Sequence, residues 1–489
     1  MTKEGTMSEE AIPKRRLYRR PWFLVLIALG AGIITFVIAM LLTDIFSKQQ
    51  ETTNSFTQVV DLDETTVDPA IWGQNFPVQY EAYKQTAEFT ESEHGGTMVP
   101  HDVEGDPRTE VASSKLEEDP RLVTMWDGYA FAVDYRHARG HEYMTLDQQY
   151  TKRNTEFDQP GTCLNCHASM PAIYDELGDG DITAGFESLG SMSLDDALEL
   201  ADHPVSCIDC HDPETMALRI TRPAFENGIA ALKANEGVED YDVNRDATHN
   251  EMRSYVCAQC HVEYYFAGDE KILTFPWDNG LAIDDIWEYY EDTGHTDFTH
   301  ATTGADIVKA QHPEFDIWSQ GVHAQNGVSC ADCHMNYERN GASKVTNHQI
   351  TTPMEDVNAS CGTCHNNTGD GKLEERVAQI QDRFIQSRDI AFDALVALID
   401  DIEAAQNDGD VSEEQIKLAQ DYQNKSSFYI DYVYSENSYG FHAPDYTQTI
   451  LADALDDARK GQLALKGVSA EDLEASDVTV SNSEAKNAD

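Results

Sequence analysis

Cys163-Leu-Asn-Cys166-His167, Cys207-Ile-Asp-Cys210-His211, Cys257-Ala-Gln-Cys260-His261, Cys330-Ala-Asp-Cys333-His334 and Cys361-Gly-Thr-Cys364-His365 together hold all ten cysteines of this 489-residue chain. Each pentad carries the attachment pattern of c-type haem. Two cysteines three apart lie on one side of a helical turn, so both sulfurs reach one porphyrin. The adjacent histidine then presents its imidazole to the iron. A single Cys-x-x-Cys also fits a zinc site or a redox dithiol. Repeated pentads that all end in histidine, with no cysteine left over, point instead to five covalently bound haem c groups.

The uncharged run 21–43, PWFLVLIALGAGIITFVIAMLLT, follows Lys14, Arg15, Arg16, Arg19 and Arg20 and precedes Asp44 and Glu51. As a helix rising about 1.5 Å per residue it spans about 35 Å, enough for a hydrocarbon core of about 30 Å. The positive-inside rule places the N-terminus in the cytoplasm and the rest of the chain outside. A cleaved signal peptide is the alternative; its apolar region is shorter and ends in a small-x-small site, which is not found here. Residues 1–47 thus read as a basic segment plus a single-pass membrane anchor. Residues 48–68, polar and rich in Thr, read as a tether. With every cysteine committed to haem, none remains for disulfides. Asp and Glu number 88 against 34 Lys and Arg, a formal charge of -54. Most of this excess forms solvated faces such as 236–246 and 400–414. Nucleic acid is excluded as a partner, and an anionic small substrate needs a local positive funnel.

Residues 69–370 contain the five pentads and all but one of the 17 histidines, with frequent turn residues and few long amphipathic segments. The pentads and 222–235 look helical, strands look scarce, and the porphyrins supply much of the apolar core. The pattern then changes. Val377, Ile380, Phe384, Ala391, Leu395, Leu398 and Ile402 advance by threes and fours, with one skipped turn at Arg388, and the stripe ends near Asn407-Asp408-Gly409. A second helix is expected from about Ser412 into Tyr434, and a third from Pro444 to Leu465. The fold class is therefore mainly α: a multihaem cytochrome c domain with little β, followed by a long-helix bundle over 371–467. The bundle packs on the haem domain and is also expected to form a dimer interface. The acidic tail 468–489 has a disordered composition.

What each haem does depends on the sixth iron position: a second histidine makes a relay, an open face makes a catalyst. The histidines outside the pentads are His94, His101, His137, His141, His203, His249, His295, His300, His312, His323, His348 and His442. Composition alone does not sort them.

Several further motifs do. Cys257-Ala-Gln-Cys-His-Val-Glu-Tyr-Tyr-Phe266, Lys309-Ala-Gln-His-Pro-Glu-Phe315 leading through His323 to the fourth pentad, Tyr135-Arg-His-Ala-Arg-Gly-His141, Asn347-His348 and Gly440-Phe-His-Ala-Pro444 occur together. From 70 to 450 the chain resembles the pentahaem, ammonia-forming cytochrome c nitrite reductases. The resemblance implies His141 as distal ligand of the third haem, opposite His261, and His348 of the second, opposite His211. It likewise implies His442 opposite His334 on the fourth haem and His323 opposite His365 on the fifth. The haem on Cys163 and Cys166, ligated by His167, keeps an open face under Arg153, Tyr264 and His312. A calcium ion nearby is implied, held by the Glu263 carboxylate, the Gln311 side-chain oxygen, and the Tyr264 and Lys309 carbonyls; oxygen ligands suit that ion. The implied activity is six-electron reduction of nitrite to ammonium, with a membrane quinol-oxidising cytochrome or similar donor and a homodimeric assembly.

The chemistry of the three residues agrees with that role. Removing oxygen from nitrite as water requires protons and positive charge beside the anion. Arg153 holds a permanent charge, His312 exchanges protons, and Tyr264 donates a hydrogen bond. Taken alone, Tyr264 also fits a core aromatic and His312 a surface residue. In most of the family the catalytic pentad ends in lysine; here it ends in His167. If His94 or His137 capped this iron, the protein would only carry electrons. Hydroxylamine and sulfite are alternative substrates for the same pocket.

Overall fold

The computed structural model describes residues 21–54, 58–96, 102–103, 105–108, 110–341, 343–366, 369 and 371–474. The basic segment before Pro21, His101 and the tail beyond Glu474 lie outside these residues. The chain forms two compact units, Met1–Val59 and Val60–Asp489. In the first, Pro21–Asn54 is one helix, so the N-terminal part of the expected tether is helical. Trp22, Val25, Leu29, Ile33, Phe36, Val37 and Met40 are exposed along it. Among the described residues no helix is long and apolar enough to cross a membrane. Side chains at 23, 24, 27 and 41–54 of this helix are not among those described.

The expected tether is packed from Val60 onward. Leu62 is buried with Trp72 and Ile208, and Val60 and Val67 lie against them. The Asn75 amide donates to the Val60 carbonyl at 2.8 Å and its oxygen accepts the Val60 N–H at 3.0 Å. Trp72 Nε1 donates to the Thr66 carbonyl at 2.7 Å. Three apolar residues spaced too irregularly to show a period are enough to fasten this segment onto the second pentad, which contains Ile208.

The pentads sit on short turns of helix: Leu164–His167, Cys207–Cys210, the end of His249–Ala258, and Cys330–His334. The fifth lies in a turn after Val357–Ser360 rather than on a helix. Serine before the cysteine starts two of these turns. Ser206 N–H bonds Asp209 and Ser329 N–H bonds Asp332, each at 2.8 Å, a capping arrangement built on the variable position of the motif. Strand content among the described residues is four two-stranded antiparallel hairpins, the largest Tyr337–Asn340 with Ser343–Thr346.

Arg222 ties three pentads together. Its Nε donates to the Asn165 carbonyl at 2.7 Å, Nη2 to the Ala168 carbonyl at 3.0 Å, and Nη1 to Asp209 Oδ1 at 2.7 Å. Gln259 of the third pentad donates to the Asp209 carbonyl at 3.3 Å.

The three C-terminal helices are Lys372–Asp408, Glu413–Ser435 and Pro444–Ala464. Gly409 ends the first at φ 71°, a conformation glycine adopts freely, and Ser412 caps the second through the Gln415 N–H at 3.3 Å. Val377, Phe384, Ala391, Leu395, Leu398 and Ile402 are buried, as the stripe requires. At the skipped turn Arg388 lays its guanidinium over Tyr434, 5.3 Å from the ring centre. The start of the acidic tail departs from expectation: Ala470–Glu474 is helical and Leu473 is buried with Leu398 and Ile402.

Gly461 lets the third helix approach the first, since a Cβ there would lie 2.7 Å from Leu398 Cδ2. Gly461→Ala is expected to destabilise the protein by about 1–3 kcal/mol in denaturant titration at unchanged haem content. Combined with Leu398→Ala, which makes room, the loss should fall well short of the sum. An additive result would mean that the two helices do not meet at this point.

Candidate active site

Four of the five pentad histidines face a second imidazole. Ring centres are 6.3 Å apart for His141 and His261, 6.2 Å for His211 and His348, 6.2 Å for His334 and His442, and 6.3 Å for His323 and His365. Two imidazoles on opposite sides of one metal should stand about 6.3 Å apart, given about 2.0 Å from metal to nitrogen and about 1.15 Å from nitrogen to ring centre. The residues therefore fit haem iron with two axial histidines. Burial drives His141, His334 and His348 down to about 4, so each imidazole is neutral, the form that binds a metal.

The pentads also abut one another. Cys166 lies beside Cys260, and Cys257 beside Cys330. Cys210 lies beside Cys257, and Cys333 beside Cys361. The first pentad thus adjoins the third, the third adjoins the second and fourth, and the fourth adjoins the fifth.

His167 is different. Among the described residues no imidazole stands opposite it at the spacing of the other four. His94 is held by Asp382 at 2.7 Å and His137 by Glu118 at 2.6 Å, so neither is placed to cap it. Burial, with His312 and Arg153 close by, pushes His167 down to about 3. The Gln148 amide nitrogen lies 3.3 Å from Nδ1 and 3.4 Å from Nε2 of His167. Asn154 holds Gln148 in turn, donating to its side-chain oxygen at 2.7 Å. Arg153 stacks over Phe131, 4.8 Å from the ring centre, and donates to the Asp134 carbonyl at 3.4 Å. Asp134 itself fixes the turn by accepting from Thr151 Oγ1 and Lys152 N–H, each at 3.0 Å. Burial lowers His312 to about 4 and holds the Tyr264 hydroxyl well above its ordinary value, with the Cys166 and Cys163 sulfurs adding to the latter. Arg153, Tyr264 and His312 thus gather around the first pentad.

Beside them lies a buried group of oxygens. Glu263 is wholly buried; one carboxylate oxygen accepts the Gln311 N–H at 2.7 Å and the other the Tyr290 hydroxyl at 3.0 Å. The Gln311 amide is 3.2 Å from the Lys309 carbonyl. Among the described residues no lysine or arginine forms an ion pair with Glu263; Lys309 Nζ is taken by Asp431 at 3.1 Å and by the Ala310 carbonyl. Burial pushes the Glu263 carboxyl well up, and its neighbour Asp316 to about 7. Such strain suits a divalent cation bound largely by carbonyl and amide oxygens. Acidic residues alone form no cluster of three among the described residues.

Gln148 and Asp134 belong to these surroundings and carry no sequence signal. Each acts through a side chain reaching a partner that no local pattern announces.

A family model described as cytochrome c552 matches residues 68–489. A cytochrome c-552 of Bacteroides fragilis is 33% identical over 468 residues, covering 94% of this chain and 89% of the relative. One from Porphyromonas gingivalis is 36% identical over 404 residues, covering 81% and 75%. Among solved structures, the catalytic subunit of cytochrome c nitrite reductase from Desulfovibrio desulfuricans, a protein with two calcium sites, superposes with a TM-score of 0.72. It is 29% identical, with 83% of this chain and 88% of that one covered. Matched over residues 68–489, the chain belongs to the cytochrome c552 family.

Proposed function

We propose that the protein reduces nitrite to ammonium at the haem held by Cys163, Cys166 and His167, while four haems with paired histidines deliver electrons. The reaction takes one nitrite, six electrons and eight protons to ammonium and two waters. The asymmetry among the pentads carries this reading: four histidines face a partner imidazole, whereas His167 has Arg153, Tyr264 and His312 nearby. The likeness to a solved nitrite reductase supports the substrate class.

When bound, the haem would hold the nitrogen of nitrite and supply electrons to it. Arg153, braced by Phe131 and Asp134, offers its remaining N–H groups to the anion's oxygens. This fixed charge is the local positive field that an acidic protein otherwise lacks. Neutral His312 presents one ring N–H to the substrate and takes up a replacement proton at its other nitrogen, which suits repeated delivery. Tyr264 keeps its proton, because burial opposes phenolate, and acts as a hydrogen-bond donor. Glu263, Gln311 and the Lys309 and Tyr264 carbonyls would hold calcium, which adds positive potential next to His312 and Tyr264.

His312→Ala and Tyr264→Phe are each expected to cut ammonium formation from nitrite by about 10²-fold or more at full haem content. Unimpaired ammonium production by both variants would reject the site, and its absence from the native protein would leave an electron carrier. Steady-state comparison with hydroxylamine and sulfite identifies the preferred substrate.

Calcium removal by a chelator, or Glu263→Gln, should lower turnover together with the metal content read by atomic absorption. Full activity of metal-free protein would exclude the ion from the site.

We further infer that Pro21–Asn54 anchors the protein in the cytoplasmic membrane, facing its haem domain outward. Support comes from large apolar side chains exposed along the helix, which water disfavours. A quinol-oxidising membrane cytochrome is the proposed donor, and pairing of the long C-terminal helices the proposed route to a dimer. The full chain should stay with membranes through an alkaline wash, whereas a chain starting at Val60 should be released. Equal release of both forms would remove the anchor.

A further inference from the structure

We propose that Glu436 tunes the haem held by Cys330 and Cys333, lowering its reduction potential. The proposal rests on the ligation of that haem by His334 and His442 proposed above. The Glu436 side chain is fully buried, and its Oε1 lies 2.6 Å from His442 Nδ1. The pair is a close charge contact without hydrogen-bond alignment, and the outer nitrogens of five other ligands meet partners that are neutral, more distant or absent. His211 Nδ1 is 3.1 Å from the Met216 carbonyl, His334 Nδ1 is 3.0 Å from that of Thr351, and His348 Nδ1 is 2.8 Å from that of Thr346. These are neutral acceptors. His261 Nδ1 has a carboxylate, Glu314, but at 3.7 Å. His141 Nδ1 is buried with no hydrogen-bond partner among the described residues.

Glu436 is also held in place. The Ser438 N–H donates to its Oε1 at 3.0 Å and the Ser438 hydroxyl to its Oε2 at 2.7 Å. The same hydroxyl accepts the His442 N–H at 3.0 Å, closing a ring of Glu436, Ser438 and His442. Among the described residues no lysine or arginine pairs with Glu436, so its charge is directed at the imidazole. A carboxylate at the outer nitrogen makes the ligand a stronger donor. Stronger donation favours ferric over ferrous iron and lowers the potential. Because the fourth pentad adjoins the third and the fifth, electrons moving between those two cross this haem. Glu436 thereby sets the energetic step within the relay.

Spectroelectrochemical titration of the haem-loaded full chain tests the idea. Glu436→Gln removes the charge at nearly constant shape. It should raise one low-spin midpoint by at least a tenfold change in the oxidised-to-reduced ratio, 59 mV for one electron, and leave the others in place. Glu436→Asp should recover most of the native value. If Glu436→Gln does not accumulate with full haem, Ser438→Ala, which frees the carboxylate, should raise the same midpoint. Unchanged midpoints in the variant that loads haem would overturn the proposal. His442→Ala tests the ligation separately: it should convert one low-spin haem to high spin in the paramagnetic resonance spectrum. No conversion rejects the ligand assignment; conversion with an immobile midpoint in Glu436→Gln rejects only the tuning.

Discussion

The ion pair of Arg222 with Asp209 is buried on both sides, with side chains 2% and 1% exposed. Burying either ion alone would be strongly unfavourable, and removing one partner of such a pair typically costs about 3–5 kcal/mol. The pair persists because every remaining group is satisfied. The guanidinium also reaches two carbonyls flanking the first pentad, while the second Asp209 oxygen accepts the Ser206 N–H. A planar fork is required, which lysine does not provide. The result is a rigid triangle among the first three pentads. Electron transfer between porphyrins depends on their spacing, and here that spacing is set by backbone carbonyls clamped to one side chain rather than by loop lengths.

The same economy of charge shapes the site. A chain carrying -54 repels anions at long range, so whatever draws one inward must act locally. Lys309 looks suited to that task from its place in the motif, yet its amine is committed to Asp431 and stacked 4.7 Å from the Trp126 ring centre. That commitment joins the segment bearing His312 to the second long C-terminal helix. It also leaves Glu263 without an ion-pair partner among the described residues. The unbalanced carboxylate and the engaged lysine are two sides of one arrangement, and both favour a bound divalent ion over a second salt bridge.

Much of this architecture was legible in the residues. The apolar stripe from Val377 to Ile402, Gly409 and Ser412 defined the long helices because helix ends are local chemistry. The acidic or amide residue inside the pentads gave no warning of its role. Asp209, Gln259 and Asp332 occupy a variable position of the pentad, yet the first two are buried in the Arg222 network and Asp332 pairs with Arg253 at 2.7 Å. The packed segment after Val60 was missed for a related reason: its anchors, Leu62 and Asn75, act through partners on other elements. The fates of His94 and His137 were likewise out of reach, since Asp382 lies far along the chain from one and Glu118 on a separate short helix from the other.

The histidines finally differ in what surrounds them, and this bears on the proposal that the first pentad serves chemistry rather than relay. His442 is backed by a carboxylate, and three others by carbonyls. Beside His167 lies the neutral amide of Gln148, nearly equidistant from both ring nitrogens and itself pinned by Asn154, the residue next to Arg153. An amide adds no anionic push to the ligand, so His167 remains a moderate donor, whereas resembling proteins place lysine there. With a moderate donor, a bound iron would be more electron-poor than one held at the fourth pentad. Electrons arriving from the relay would therefore fall toward the face where Arg153 and His312 wait. One short segment, Gln148 to Arg153, would then set both the electron affinity of the site and its grip on the anion.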